Sequence, residues 1–144
     1  MKDYNLKRFL DAQKSSFETA LSELRAGRKR SHWMWYIFPQ IQGLGSSEMS
    51  RRYAIRDLDE AKLYLAEPIL GKRLINLCSE LLKLENATAS EIFGYPDDIK
   101  LQSSMTLFAQ AEGPDSVFTS VLNKYYGGAK DAATLKILND LSRG

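Results

Sequence analysis

The chain has one cysteine and one histidine in 144 residues. A single thiol excludes an intramolecular disulfide and a thiolate metal cluster, and one histidine leaves too few ligands for a zinc site. A carboxylate-held magnesium would need a motif that the sequence does not show, so no metal and no cofactor are expected. Long apolar runs are missing as well: none approaches the ~20 residues that a bilayer-spanning helix needs. The opening "MKDYNLKRFLDAQ" carries charges where a secretory signal would need an apolar core. These absences lead to the expectation of a cytoplasmic protein with no membrane partner. Net charge is scarce too, at +2, too little for the whole chain to be drawn to nucleic acid by charge.

What is present is ordinary globular material, 44% hydrophobic and 26% charged, long enough for one domain with a real core. Leu6, Phe9, Leu10, Phe17, Leu21 and Leu24 recur at helical spacings and predict one helix over 5–26, stopped by Gly27. Ser47 and Asp57 have the chemistry of N-caps, and Pro68 that of a first helical residue. The stripe Ile69, Leu70, Leu74, Leu77, Cys78, Leu81 and Leu82 then predicts a longer helix with the thiol as an inert core group. "TASE" at 88–91 fits a capping box, Asp97 and Asp98 suit a helix start, and Asp131 suits the last cap. The fold class predicted is mainly α: a compact single domain over 1–144 with about seven to eight short helices and an irregular aromatic segment.

That segment, "SHWMWYIFPQIQGLGSS" at 31–47, is the strongest chemical signal. Trp33, Trp35, Tyr36 and Phe38 cannot share one helical face, whereas in an extended chain 33 and 35 lie on one side and 36 and 38 on the other. Flat rings offer stacking surface for a base or a sugar. Gln40 adds an amide, and Gly43, Gly45 and Ser46 form a loop whose backbone can approach a bound group. Arg51 and Arg52 follow, after Arg25, Arg28, Lys29 and Arg30 precede it. Such clusters are either solvated surface or an anion site. The glycines match neither a phosphate loop ending in Lys-Ser/Thr nor a dinucleotide fingerprint.

Candidate proton-moving groups are few. His32 is either a general base beside the tryptophans or a structural histidine. On a helix, Asp97, Lys100 and Ser104 fall along one side, with Ser103 also in reach of Lys100. This is an ion pair, or else a carboxylate and an anion clamp. Tyr125 and Tyr126 before Gly127-Gly128 either close a pocket wall or simply end a helix.

The blocks "SHWMWYIFPQIQGLGSSEMSRRYAI", "DEAKLYLAEPILGKRL", "EIFGYPDDIKLQSSMTLF" and "KYYGGAKDAATLKIL" resemble a bacterial domain family of unknown function, sometimes given the name calpastatin. The resemblance covers nearly the whole chain and implies a mainly helical domain with no agreed activity. The calpastatin name has no support in a sequence patterned to fold. A remote likeness in general architecture to enzymes acting on N-glycosidic bonds of ribose-phosphate compounds is an analogy of fold, a poor warrant for function. Taken with the residues, the expectation is a domain that binds a small anionic ring-containing metabolite such as a nucleotide or ADP-ribose-like compound, with its hydrolysis as an optional further step. In that expectation His32, Asp97 and Lys100 do the chemistry. The other reading is a protein-interaction module without catalysis.

Overall fold

The computed structural model describes residues 3–143. Ten helices follow one another along these residues, joined by short connections. The predicted helix over 5–26 is two: α1 (Lys7–Lys14) and α2 (Phe17–Arg25). The break falls at Ser15-Ser16, where the Ser16 hydroxyl shares a 2.9 Å hydrogen bond with the Tyr36 hydroxyl. Serine side chains compete with helical backbone bonding, so a tertiary partner is enough to end the helix there.

The remaining helices are α3 (Met34–Ile37), α4 (Glu48–Arg52), α5 (Leu58–Ala66), α6 (Pro68–Lys83), α7 (Ala89–Phe93), α8 (Asp97–Glu112), α9 (Val117–Tyr126) and α10 (Ala132–Arg143). Ser47 caps α4 by accepting from the Ser50 N–H. Asp57 accepts from the Glu60 N–H at the start of α5. Thr88 and Glu91 form the reciprocal box that opens α7. Asp131 accepts from both the N–H and the hydroxyl of Thr134 and so starts α10. Each such cap satisfies amides that a helix end would leave bare, worth about 1 kcal/mol.

The core forms around α8. Residues 103–109 are buried on every side of that helix, which packs against α5, α7, α9 and α10. A helix buried all round needs small or apolar side chains, and its hydroxyls must find partners. Ser103 and Thr106 donate to the carbonyls of Ile99 and Gln102 one turn back. Cys78 lies wholly buried against Met105, 3.6 Å between sulfurs, and burial pushes its thiol far up. It is a packing residue, as predicted from its place in the stripe.

α5 and α6 meet in the tightest turn of the chain. Only Glu67 separates them, and its carboxylate accepts from the N–H groups of Ile69 and Leu70. The first turn of α6 then passes so close to α5 that a Cβ at Gly71 would sit 2.1 Å from the Leu65 carbonyl oxygen. Among the described residues, no helix is long and apolar enough to cross a membrane. The extended backbone contributes one isolated parallel bridge, Ile41 with Ile55.

Candidate functional site

That bridge positions the site. The Ile55 N–H donates to the Gln40 carbonyl and the Gln42 N–H to the Ile55 carbonyl, each at 2.8 Å. Together they hold the loop after Pro39 beside the segment leaving α4. Between these two segments, α3 and α10 lies an open cavity of about 630 Å³. Trp35 lines it from α3, Gln40 and Gly43 to Gly45 from the loop, Ser50 and Arg51 from α4, Tyr53 and Ala54 beyond it, and Ile137 from α10.

The one-turn helix α3 divides the tryptophans. Trp33 is 1% exposed and packs edge-on to Phe93, ring centroids 6.4 Å apart, with Phe38 completing the group. Its indole N–H donates to Glu23 at 2.9 Å. Trp35, two residues on, is half-buried and faces the cavity. The reading of Trp33 as a stacking residue is therefore corrected: its ring is an aromatic core element packed with Phe38 and Phe93.

Glu23 is the anchor of this arrangement. It accepts from the Ser31 hydroxyl at 2.6 Å and from the N–H groups of Arg30 and Ser31 as well as from Trp33. Partial burial pushes its carboxyl up, but these hydrogen bonds outweigh burial and hold it at about 2, against an ordinary 4.5. A carboxylate whose value is lower in the folded state adds stability above its unfolded value and loses it as pH falls. Wild-type stability should thus drop as pH falls from 4.5 toward about 2, and Glu23→Gln should flatten that drop in a pH series of denaturant melts. Parallel losses in the two proteins would show that the carboxylate is no anchor.

The loop is held close by glycines. Gly43 has φ +99°, which L side chains rarely adopt, and a Cβ there would touch Ile137. At Gly45 a Cβ would lie 2.6 Å from the Ser50 hydroxyl. Among the described residues the N–H groups of Gly43 and Gly45 have no acceptor. Among the described residues the Arg51 side chain has no carboxylate within ion-pair distance and no hydrogen-bond partner. The cavity thus joins an indole face, a tyrosine, unpaired backbone donors and one guanidinium. That set suits a flat ring bearing negative charge.

Of the residues singled out in the sequence, Trp35, Gln40, Gly43, Gly45 and Arg51 line this cavity, and Arg52 lines the hollow beside it. Ser46 is exposed next to the lining. Tyr36 turns away, its ring 5.3 Å from that of Tyr53 and its hydroxyl on Ser16. His32 is exposed and outside the lining. Asp97 is held between Lys29 at 2.9 Å and Lys100 at 3.7 Å, an ion-pair group that tethers α8 to the aromatic segment. Lys100 stands 5.8 Å from the Trp35 ring centroid, so α8 does reach the edge of the site. Ser103 and Ser104 are buried in α8, and the Ser104 hydroxyl has no partner among the described residues. Tyr125 and Tyr126 donate to the carbonyls of Leu81 and Asp98 and fasten α9 to its neighbours.

Sequence reasoning missed Tyr53, although it directly follows Arg51 and Arg52, because a lone tyrosine after a short helix has no pattern of its own. It also missed Ile137, far along the chain in an ordinary amphipathic stripe. Among the described residues no cluster of His, Cys, Asp or Glu is placed to hold a metal ion.

A crystal structure described as the conserved hypothetical protein Rv1873 from Mycobacterium tuberculosis is similar to this chain. It shares 48% identity and a TM-score of 0.92 over 94% of this chain and 97% of that one. No curated protein matches the sequence. The family model described as "Protein of unknown function (DUF1810)" matches residues 3–138, nearly the whole length, and the chain belongs to that family.

Proposed function

We propose that this domain binds a small, anionic, ring-containing metabolite of the nucleotide class in the cavity beside Trp35. The observation that carries the reading is the convergence there of one accessible indole, two glycine N–H groups without acceptors and an arginine without a carboxylate. A volume of about 630 Å³ is within the range of small-molecule sites. The proposal is of binding: the lining supplies an indole, backbone amides and a guanidinium, groups that hold a ligand.

Thermal melts against a panel of nucleosides, nucleotides and sugar phosphates test it. A ligand at 100 times its dissociation constant stabilises the folded state by ~2.7 kcal/mol, a rise on the order of 5–10 °C for a domain of this size. Trp35→Ala should weaken the responding compound about tenfold or more, since stacking on an aromatic side chain contributes ~1–3 kcal/mol. A flat panel, or a response that Trp35→Ala leaves intact, would refute the reading.

One observation favours the interaction-module reading instead. Tyr95 is 80% exposed and Ile99, in the first turn of α8, is 45% exposed, an apolar pair on the surface. A flat panel together with a partner lost on Tyr95→Ala would replace the binding proposal.

A further inference from the structure

A second concavity, of about 350 Å³, adjoins the first and shares Gln42, Arg51 and Ala54 with it. Four of its eight lining residues are arginines, Arg8, Arg51, Arg52 and Arg56, and none is acidic. Sequence reasoning had brought only two of these together, because Arg8 lies in α1 and Arg56 beyond α4.

The four are not equivalent. Arg8 is fully committed: it pairs with Glu60 at 3.0 Å and donates to the carbonyls of Tyr4, Asn5, Arg52 and Ala54. Its task is to hold the 52–54 backbone against α1. Among the described residues the side chains of Arg51 and Arg52 have no carboxylate within ion-pair distance and no hydrogen-bond partner, although the Arg52 guanidinium lies 5.6 Å over the Tyr53 ring. Arg56 makes only a long contact, 3.5 Å, to the Asp3 carbonyl, and stacks loosely on Tyr4 at 5.9 Å. The nearby carboxylates are taken: Glu60 by Arg8 and by the Arg56 N–H, Asp57 by the Tyr4 hydroxyl and the Glu60 N–H.

Three guanidinium groups around one hollow repel each other, and an acidic neighbour would relieve that at once. Glu60 and Asp57 are engaged elsewhere and no acidic residue lines the hollow, so the positive potential of Arg51, Arg52 and Arg56 is left for a mobile anion. Planar forks of N–H donors match phosphate oxygens two at a time, better than any other side chain does. Because Arg51 belongs to both hollows, an anion there is joined directly to whatever sits against Trp35.

We propose that the arginine hollow is a phosphate subsite. Arg52 and Arg56 hold the phosphate, Arg51 bridges it to the ring cavity, and Arg8 is a positioning residue. The ligand class narrows accordingly, from a charged ring compound to one with at least one phosphate dianion beyond the group that touches Arg51. The narrowing rests on the proposed ring site; the phosphate subsite itself stands on the arginines alone.

The test is calorimetric titration of the full chain with inorganic pyrophosphate, repeated on the double variant Arg52→Gln/Arg56→Gln. Neither side chain pairs with a carboxylate, so the variant should melt like the wild type. Pyrophosphate is expected to bind, and the double variant to weaken it about tenfold or more. No binding, or equal binding by the two proteins, would overturn the subsite. A second arm compares each nucleoside with its 5′-diphosphate. A preference for the diphosphate of about tenfold that vanishes in the double variant supports the subsite. Equal affinities overturn it and leave the ring site standing. Arginine-dependent pyrophosphate binding with no nucleoside or nucleotide bound leaves the subsite standing and removes the ring site.

Discussion

Gly71→Ala should cost this protein about 3 kcal/mol or more, where the same change in an ordinary helix gains ~1 kcal/mol. The expected reversal comes from one contact. Gly71 is buried in the first turn of α6, and an added Cβ would meet the Leu65 carbonyl oxygen at 2.1 Å and its carbon at 2.9 Å. Those are backbone atoms at the end of α5, so no side chain can swing aside. Relief would require opening the α5–α6 turn, which the single residue Glu67 closes with bonds to Ile69 and Leu70. The thermal midpoint should fall by roughly 10 °C, on the scale of ~3–5 °C per kcal/mol for a domain this long. An unchanged or raised midpoint would mean that α5 and α6 are not so closely apposed.

Trp33→Ala should cost ~3–5 kcal/mol, the second large effect, and Trp35→Ala at most ~1 kcal/mol. Trp33 packs against both Phe38 and Phe93 in a three-ring cluster and supplies one of the four donors to Glu23. Its removal leaves a cavity and loosens the carboxylate that fastens residues 30 and 31. Trp35 packs against the core on one side only and has its other face open to the ligand cavity, so it has less packing to lose than Trp33. Denaturant melts of the two variants give the comparison. Equal costs would contradict the division of roles between neighbours two positions apart.

Local chemistry made much of this fold legible. Caps depend on a side chain and an amide three residues on, so Asp57, Thr88 with Glu91, and Asp131 show in the sequence as plainly as in space. The split between α1 and α2 does not, because the apolar stripe runs on through Phe17 and the hydrogen bond that ends α1's run comes from Tyr36, twenty residues away. Among the described residues ten helices stand where the sequence predicts about seven to eight, the surplus being such breaks and the single turn of α3.

The site was legible in the same measure. Rings and glycines within one stretch marked the aromatic segment as unusual, and of the residues singled out there Trp35, Gln40, Gly43 and Gly45 line the cavity. Which tryptophan faces out depends on a single helical turn that no periodicity records. Lys100 and Asp97 follow the bland reading, an ion pair at the start of α8, with Lys29 as the third member that spacing alone does not reveal. Ile137 and Arg56 reach the two hollows only through the packing of α10 and the bridge at Ile55, both of them tertiary events.

With two tryptophans in the chain, fluorescence reads the ring site directly. Trp33→Phe leaves Trp35 as the reporter, and its emission should change saturably with a nucleotide that raises the melting temperature. Trp35→Phe should stay silent under the same titration. No change in the first protein, or an equal change in the second, would contradict a ligand seated against Trp35.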